Sequence, residues 1–153
     1  MRIASREVKM KAGDILIFRA SLKPDIIRDI EIAATASLYK FAEAINDAFG
    51  FDFDHCFGFY DKLTGSYFKS KIAYELFADM GENNTLSVKK NTVLTAFPRD
   101  KAKMLFVFDY GDEWHFIIER IGSGEKAPGV KYPRVAKSVG IEPPQYEYPE
   151  EDD

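Results

Sequence analysis

The sequence predicts an α+β domain: one mostly antiparallel, aromatic-rich sheet with a central hairpin at about residues 103–121 and one main helix at about residues 36–49 packed on it. Three observations support this fold class. The chain contains 13 Phe, 8 Tyr and 1 Trp, which provide the large buried areas and the strand preference of a sheet core. Apolar residues recur at three- and four-residue steps in the predicted helix. Two apolar runs flank a Tyr-Gly pair in the predicted hairpin.

The first element is a second, N-terminal hairpin. Residues 14–22 and 26–32 are apolar or alternating segments rich in β-branched side chains, and a Lys-Pro-Asp turn separates them. Pro24 supplies the fixed φ that a turn requires. We therefore expect these two segments to pair as antiparallel strands.

The main helix follows this hairpin. Its apolar stripe consists of Leu38, Phe41, Ile45 and Phe49. Either Thr35 or Ser37 could cap the N-terminus by accepting a hydrogen bond from a free backbone N–H. Gly50 is expected to end the helix, because the residue after the C-cap often adopts a positive φ that glycine tolerates.

The middle of the chain predicts shorter elements. Residues 51–60 begin as a loop and become a strand, and a turn leads from there to a second aromatic strand around residues 66–68. The Gly/Asn-rich segment at 79–84 is expected to be a surface loop. Residues 92–97 could form a single helical turn capped by Thr92.

The central hairpin determines which side chains share a face of the sheet. If Asp109 pairs with Asp112 across the Tyr-Gly turn, side chains alternate between two faces. One face then carries Leu105, Val107, Trp114, Phe116 and Ile118, and the other carries Met104, Phe106, Phe108, His115, Ile117 and Ile121. Both faces are apolar, so we expect the hairpin to be covered on both sides. The main helix covers one side, and the C-terminal segment or another subunit covers the other.

The C-terminal part of the chain is predicted to differ from the body. A short strand is expected at 130–135. We assign residues 1–141 to a single domain and residues 142–153 to a flexible tail, which holds six acidic residues and no basic one. The net charge is −4, so the body without this tail is close to neutral. Because binding to a phosphate backbone normally requires a strong positive field, nucleic acid is not favoured by charge.

Composition also narrows the compartment and the functional class. The single cysteine, Cys56, cannot form an internal disulfide, which is typical of a reducing compartment. Residues 1–12 lack the apolar core of a signal peptide, and no segment approaches the roughly 20 apolar residues of a membrane span. We therefore expect a cytoplasmic protein with no membrane partner. P-loop, GxGxxG, GxSxG and HExxH motifs are absent from the sequence, which removes the common nucleotide-binding and hydrolase signatures.

Three segments carry a family resemblance. They are LKPDIIRDIEI at residues 22–32, LYKFAEAINDAFGFDFDHCFGF at 38–59 and FVFDYGDEWHFIIERI at 106–121. In this order they resemble the plasmid ORF-three-like family, which was first named from a Ri-plasmid open reading frame and also occurs as passenger proteins of some insertion elements. The resemblance supports the predicted fold, and it leaves the activity open because the family has no established one.

Both histidines stand beside acidic residues in these segments. The neighbours are Asp52 and Asp54 for His55, and Asp109, Asp112 and Glu113 for His115. Imidazoles and carboxylates are ligands of zinc, manganese and iron, so one hypothesis is a divalent metal held by His55, His115, Asp54 and Asp112. The predicted faces oppose it, because they place His115 opposite the two turn aspartates. The structural alternative is that these aspartates accept turn amides and that His115 is a half-buried polar group.

Two further side chains could contribute to a functional surface. Trp114 could stack on a ligand, although a lone tryptophan in an apolar strand is more often part of the core. Arg28 and Arg19, on adjacent strands, could hold an anion. The structural alternative is that these arginines lie at a solvated sheet edge or pair with Asp29 or Glu31.

The leading hypothesis is a non-enzymatic binding or interaction domain that presents the loops around residues 51–55 and 110–113. The candidate functional surface comprises Arg28, Asp54, His55, Asp109, Asp112, Glu113, Trp114 and His115. The partner could be another protein or a second copy of the chain, and no cofactor is required. One alternative is a metal-dependent hydrolytic enzyme that uses both histidines with nearby aspartates. A third hypothesis, a nucleic-acid accessory protein of mobile elements, follows only from the resemblance.

Overall fold

The computed structural model describes residues 14–82 and 84–146. Within this part of the chain, eight strands form one sheet and an 11-residue helix packs on it. The strands are β1 Asp14–Lys23, β2 Ile26–Ala33, β3 Phe57–Tyr60, β4 Ala73–Glu75, β5 Leu86–Ser87, β6 Lys103–Phe108, β7 Trp114–Glu125 and β8 Arg134–Val139. The helices are α1 Leu38–Ala48, α2 Leu76–Asp79 and α3 Val93–Ala96, and a 3₁₀ turn spans Tyr67–Lys69.

The sheet is mixed and mostly antiparallel. Its strand order is β5-β4-β3-β6-β7-β1-β2-β8, and every neighbouring pair is antiparallel except β4 and β5. This arrangement confirms the predicted sheet, the N-terminal hairpin and the central position of the β6–β7 hairpin. Two one-turn helices, α2 and α3, accompany the main helix, and Thr92 caps α3 as predicted, by accepting from the Thr95 N–H.

Local chemistry explains both ends of α1. Ser37 is the N-cap, because its side chain accepts a hydrogen bond from the Lys40 N–H at 3.1 Å. At the other end Gly50 has φ +70°, and its N–H donates to the Asp47 carbonyl at 3.1 Å. The Phe51 N–H donates to the Asn46 carbonyl at 2.8 Å, which completes a Schellman motif. The helix therefore ends at the predicted glycine, and the chain turns back over the sheet.

The main core lies between α1 and one face of the sheet. All four residues of the predicted helical stripe are fully buried. The two phenylalanine rings of the stripe contact aromatic side chains of the sheet. The ring centroid of Phe41 lies 4.5 Å from that of Phe18, and the ring centroid of Phe49 lies 4.9 Å from that of Phe116. Each such side chain contributes roughly 1.5–3 kcal/mol by leaving water. This contact fixes α1 on the sheet.

The register of the central hairpin differs from the predicted one by one residue. Phe108 pairs with Trp114 and Val107 pairs with His115, so the connection is the five-residue turn 109–113. Asp109 and Glu113 have φ values of +65° and +52°, and these two residues, not the glycine, take the left-handed conformation. The predicted faces of β7 were therefore wrong, because a one-residue slip moves every side chain to the other face. In the structure Met104, Phe106, Phe108, Trp114, Phe116 and Ile118 belong to the helix-side core, and Leu105, Val107, His115 and Ile117 lie on the opposite face.

The second face of the hairpin is covered by the connection between β3 and β4. Tyr60 and Tyr67 are buried there against Leu105 and Val107. The predicted aromatic strand around residues 66–68 is instead the 3₁₀ turn, which folds the Tyr67 ring over the sheet. The cover expected from the C-terminal segment or another subunit is therefore provided by this connection.

The C-terminal part of the described chain remains attached to the sheet. The strand expected at 130–135 begins four residues later, as β8, and pairs antiparallel with β2. Residues 142–146, which were expected to open the flexible tail, make side-chain contacts with the body. Residues 147–153 lie outside the described residues. No helix in the described ranges combines the length and the apolar character needed to cross a membrane.

Candidate functional site

The turn 109–113 sits where three segments meet. The Asp109 carboxylate accepts the N–H groups of Gly111 at 3.0 Å and Asp112 at 3.3 Å, as an Asx turn requires. The Asp109 N–H donates to the Cys56 carbonyl at 2.9 Å, which fixes the turn against the loop before β3. Asp109 thus accepts turn amides, which is the structural alternative considered from the sequence. Its second carboxylate oxygen faces the loop before β3.

A cluster of four polar side chains forms on this side of the turn. We call Asp54, His55, Asp109 and Tyr146 the rim cluster. The His55 Nδ1 lies 2.7 Å from Asp54 Oδ1, and its Nε2 lies 3.6 Å from Asp109 Oδ2. The Tyr146 hydroxyl donates to Asp54 Oδ2 at 2.6 Å. One imidazole therefore lies between two carboxylates, and a phenol closes the arrangement.

Charge and hydrogen bonding shift the pKa values within the rim cluster. The hydrogen bond that the imidazole donates to the Asp54 carboxylate, followed by the charges of Asp109 and Asp112, raises the pKa of His55. The Tyr146 hydroxyl and the imidazole stabilise the Asp54 carboxylate and lower its pKa. Bonding to that same carboxylate raises the pKa of Tyr146. The cluster therefore favours an imidazolium that is outnumbered by carboxylates, so the rim carries net negative charge.

The C-terminal segment is bound to the loop before β3 by a side-chain amide. The Gln145 Oε1 accepts the Asp52 N–H at 2.7 Å, and its Nε2 donates to the Asp52 carbonyl at 3.1 Å. This pair of bonds satisfies both backbone groups of one loop residue, as a neighbouring strand would. Gln145 and Tyr146 together hold residues 143–146 beside the turn, and both were missed as site residues because the composition indicated a flexible tail.

A cleft of about 540 Å³ lies between this segment and the turn. Its walls are Asp112, Trp114, Pro143, Pro144, Gln145 and Tyr146. Trp114 is half-buried, and its ring packs on Phe51 with centroids 4.7 Å apart, so it belongs both to the core and to the cleft wall. Its indole N–H is buried without a hydrogen-bond partner among the described residues. Both readings of Trp114 from the sequence are therefore compatible with its position.

Arg28 has a structural position away from the cleft. The residue is 4% exposed, and its guanidinium donates to the carbonyls of Ala48 at 3.0 Å and Val139 at 2.9 Å. It also forms an ion pair with Glu142 at 2.7 Å. Arg28 thus joins β2 to the end of α1, to β8 and to the C-terminal segment. Of the pairs considered from the sequence, the one between Arg19 and Asp29 is present, whereas Glu31 pairs with Arg134.

Glu113 and His115 lie on the other face of the hairpin. The Tyr67 hydroxyl donates to Glu113 Oε1 at 2.6 Å, and this oxygen is 3.7 Å from His115 Nε2. The Tyr67 hydrogen bond, followed by the neighbouring histidine, lowers the pKa of Glu113. His55 instead contacts the Phe108 ring of the helix-side core. The two histidines therefore lie on opposite faces of the hairpin. Within residues 14–82 and 84–146, no three His, Cys, Asp or Glu side chains are arranged to hold one metal ion.

A second polar cluster, which the sequence did not indicate, lies beneath the second face. The Tyr60 hydroxyl donates to the Glu75 carboxylate and lies 2.8 Å from the Tyr110 hydroxyl. We call Tyr60, Glu75 and Tyr110 the tyrosine–glutamate cluster. Glu75 is 7% exposed and Tyr60 is 1% exposed. Burial raises the pKa of both tyrosines well above the ordinary value.

Gly58 makes this cluster sterically possible. It stands in β3 directly opposite Glu75 of β4. A Cβ atom at this position would lie 2.8 Å from both the Tyr60 and the Tyr110 hydroxyl oxygens. A glycine inside a strand often marks such a close approach, so Gly58 was the signal that could have revealed the cluster.

Comparison with known proteins bears on the fold and the family. No curated protein matches the chain significantly. Among solved structures, the fold is similar to the crystal structure of MM3350, a protein of unknown function from Methanosarcina mazei Go1. The TM-score is 0.67 at 17% identity, over 84% of this chain and 70% of that one. This likeness shows a shared fold. A family model described as plasmid pRiA4b ORF-3-like protein matches residues 15–146, from the first strand to the tyrosine of the rim cluster. Because this match covers most of its length, the chain belongs to the plasmid pRiA4b ORF-3-like protein family.

Proposed function

We propose that this chain is a binding domain that holds a basic, proline-containing peptide segment of a protein partner in the cleft between Trp114 and the C-terminal segment. The observation that carries the proposal is the composition of the cleft walls. An indole, a phenol and two proline rings face an opening of about 540 Å³, and the Asp112 carboxylate stands at its edge. Flat apolar walls beside a carboxylate favour an arginine or lysine side chain next to an apolar ring.

The surrounding charges support the same ligand class. Asp112 is exposed, and the rim cluster beside the cleft holds two further carboxylates against one imidazole. This negative field attracts a guanidinium and repels a phosphate backbone. The nucleic-acid hypothesis therefore gains no support from the local charge. The metal-dependent enzyme hypothesis gains none from the geometry, because His55 and His115 lie on opposite faces of the hairpin.

The chain contains a natural reporter for this cleft. Trp114 is its single tryptophan, so intrinsic tryptophan fluorescence reports on the cleft wall alone. The probes are acetyl-arginyl-proline amide, its neutral citrulline analogue and its glutamate analogue. We expect the arginine peptide to change the fluorescence with a dissociation constant on the order of 0.1–1 mM, as suits so small a ligand. The citrulline peptide should bind several-fold more weakly, and the glutamate peptide should give no change.

Matched variants locate the effect. Asp112→Asn removes the cleft carboxylate and should weaken arginine-peptide binding by about threefold to fivefold, the range of an exposed ion pair. Asp61→Asn changes an equally exposed aspartate at the end of β3, outside the cleft, and should bind like the wild type. Equal affinity for the arginine and glutamate peptides, or no change in tryptophan fluorescence with either peptide, would rule the proposal out. A mass that rises with protein concentration would show that the chain associates with a second copy.

A further inference from the structure

The second face of the sheet contains a cleft on which the proposed function does not depend. It has a volume of about 550 Å³ and lies over the tyrosine–glutamate cluster. Its walls include Tyr60, Phe68, Lys71, Glu75 and Thr85. We propose that this cleft binds a small zwitterion with the chemistry of an apolar α-amino acid, whose ammonium group meets Glu75 and whose carboxylate meets Lys71.

The Glu75 carboxylate is not balanced by a basic side chain of the described residues. Glu75 is 7% exposed, and no Lys, Arg or His side chain of the described residues lies within ion-pair distance of it. Its one described hydrogen bond uses Oε2, so Oε1 has no hydrogen bond within the described structure. Burying a carboxylate without a cation is costly unless a partner compensates it. A ligand ammonium group in the cleft would provide that partner.

Aromatic rings surround the Glu75 carboxylate on the side of the cleft. Phe68 is 66% exposed, which is unusual for so large an apolar side chain. Its ring stacks on Tyr110 with centroids 5.8 Å apart and meets the edge of Tyr60 at the same distance. Aromatic faces beside a carboxylate are the groups that recognise alkylammonium ions. The exposed ring therefore serves as a wall of the site rather than as part of the core.

Two further polar groups, the Thr85 hydroxyl and the Lys71 ammonium, line the cleft. The Thr85 hydroxyl oxygen is buried and has no partner among the described residues, so it can accept a hydrogen bond from the same ammonium group. Lys71 is exposed at the cleft and forms no ion pair with Glu75. A simple amine would leave this lysine unmatched and would be repelled by it. A ligand with a carboxylate at its other end satisfies both charges, and Ile72 and Leu86 provide apolar contacts for its side chain.

Three probes of similar size separate the charges. L-leucine carries both groups, isoamylamine lacks the carboxylate and isocaproate lacks the amine. We expect isothermal titration calorimetry to give affinities in the order leucine, isoamylamine, isocaproate, with about a tenfold step at the loss of the amine. The proposal is overturned if isocaproate binds as well as leucine, or if none of the three gives a saturable signal at about 10 mM, a concentration that would detect millimolar binding.

Variants assign each charge to a residue. Glu75→Gln should weaken both leucine and isoamylamine at least tenfold, because the neutral amide keeps the shape and loses the charge. Lys71→Gln should weaken leucine about threefold to fivefold and leave isoamylamine unweakened. Lys69→Gln, a neighbouring exposed lysine outside the cleft, is the matched control and should change neither.

The outcome remains decisive if Glu75→Gln fails to fold. Phe68→Ala and Lys71→Gln alter exposed side chains, so both should fold, and Phe68→Ala should weaken all amine probes severalfold. Wild-type affinities in both variants would contradict the proposal. The arginine-peptide response of Trp114 should be unchanged in all of them, so failure at either cleft can be distinguished from failure at the other.

Discussion

At the scale of single residues, Gly58 determines whether buried polar groups can meet. Two tyrosine hydroxyls and a carboxylate converge over a strand position that has no side chain. Burying a polar group costs free energy unless it is hydrogen-bonded, so the stability of the cluster depends on the close approach of these groups. The cost of a side chain at this position is therefore steric and electrostatic together.

Gly58→Ala should lower the free energy of unfolding by roughly 2–4 kcal/mol. The new Cβ would overpack the site, at about 1–3 kcal/mol, and would separate hydrogen-bonded groups at a similar cost each. Urea denaturation measures the change. Gly124→Ala is the matched control, because it also lies in a strand and a Cβ there meets nothing within 4 Å. Equal stabilities of the two variants would show that the cluster is not held together by this approach.

His55 should make stability depend on pH in one direction. Its pKa is raised in the folded state above an ordinary value of about 6.5, so its contribution is fully present below that pH and is lost as pH rises through the folded-state pKa. The imidazole is 40% exposed, so the contribution should stay below about 1 kcal/mol. His55→Gln should remove this pH dependence, which urea melts between about pH 5 and pH 9 would measure. NMR titration of the ring should show a pKa that falls in Asp54→Asn, and an unchanged pKa would contradict the assigned partner.

At the scale of elements, Arg28 connects α1 and the C-terminal segment to the sheet, and it adds a side-chain hydrogen bond to the existing β2–β8 pairing. Four of its N–H groups are used, by three backbone carbonyls and Glu142, and the guanidinium also lies 4.9 Å from the centroid of the Phe49 ring. The planar fork matches this set of acceptors, and an ammonium group would not. The end of α1, the edge strand β8 and the C-terminal segment are therefore held by one side chain.

Arg28→Ala should cost roughly 2–4 kcal/mol of unfolding free energy, because it leaves three partly buried carbonyls and one carboxylate without their donor. Arg28→Lys should recover only part of this loss. Arg134→Ala removes an exposed ion pair with Glu31 from the same edge and should cost about 1 kcal/mol or less. Thermal or urea melts of the three variants provide the comparison. A loss at Arg28 as small as that at Arg134 would refute the connecting role.

Much of the architecture could be predicted from the sequence, and the reason is local. The stripe from Leu38 to Phe49, the glycine after it and the apolar runs of the two hairpins each fix an element within a few residues of chain. The hairpin register could not be predicted, because Asp109 and Glu113 rather than Gly111 take the positive φ values. Both faces of the hairpin are apolar, so the hydrophobic pattern gave no signal against the slip.

The candidate sites were predicted less completely, because their partners are distant in sequence. Asp54, His55, Asp109, Asp112 and Trp114 do lie around one rim. Their binding partners Gln145 and Tyr146 are about 90 residues away from the loop that they contact. Glu75 meets Tyr60 only because β3 pairs with β4. The chain between these strands forms a 3₁₀ turn, whereas its sequence pattern predicted a strand. Such contacts follow from tertiary packing, which local composition does not encode.

At the scale of the whole molecule, stability should be graded from the centre of the sheet to its edges. The β6–β7 hairpin and β1 are paired on both sides, and the hairpin is covered on both faces. Every residue of β8 is exposed, and β8 has a strand neighbour on one side only. Segments with few buried contacts open locally at lower free energy than the core. The cleft of Trp114 therefore has one wall from the stable centre and one wall from the segment that follows the edge strand β8.

Native-state hydrogen exchange should report this gradient. Amides of β6 and β7 that donate across the ladder should exchange only by global unfolding, at roughly 5–15 kcal/mol, and those of β8 should open at least about 2 kcal/mol below that value. If the Arg28→Lys variant folds, the free energy of opening β8 should fall further below that of global unfolding. The amides of β6 should still exchange only by global unfolding. Equal protection in β8 and β6 would mean that the sheet unfolds as one unit. In that case the wall formed by residues 143–146 would be as rigid as the hairpin, and peptide binding at Trp114 would require no local movement.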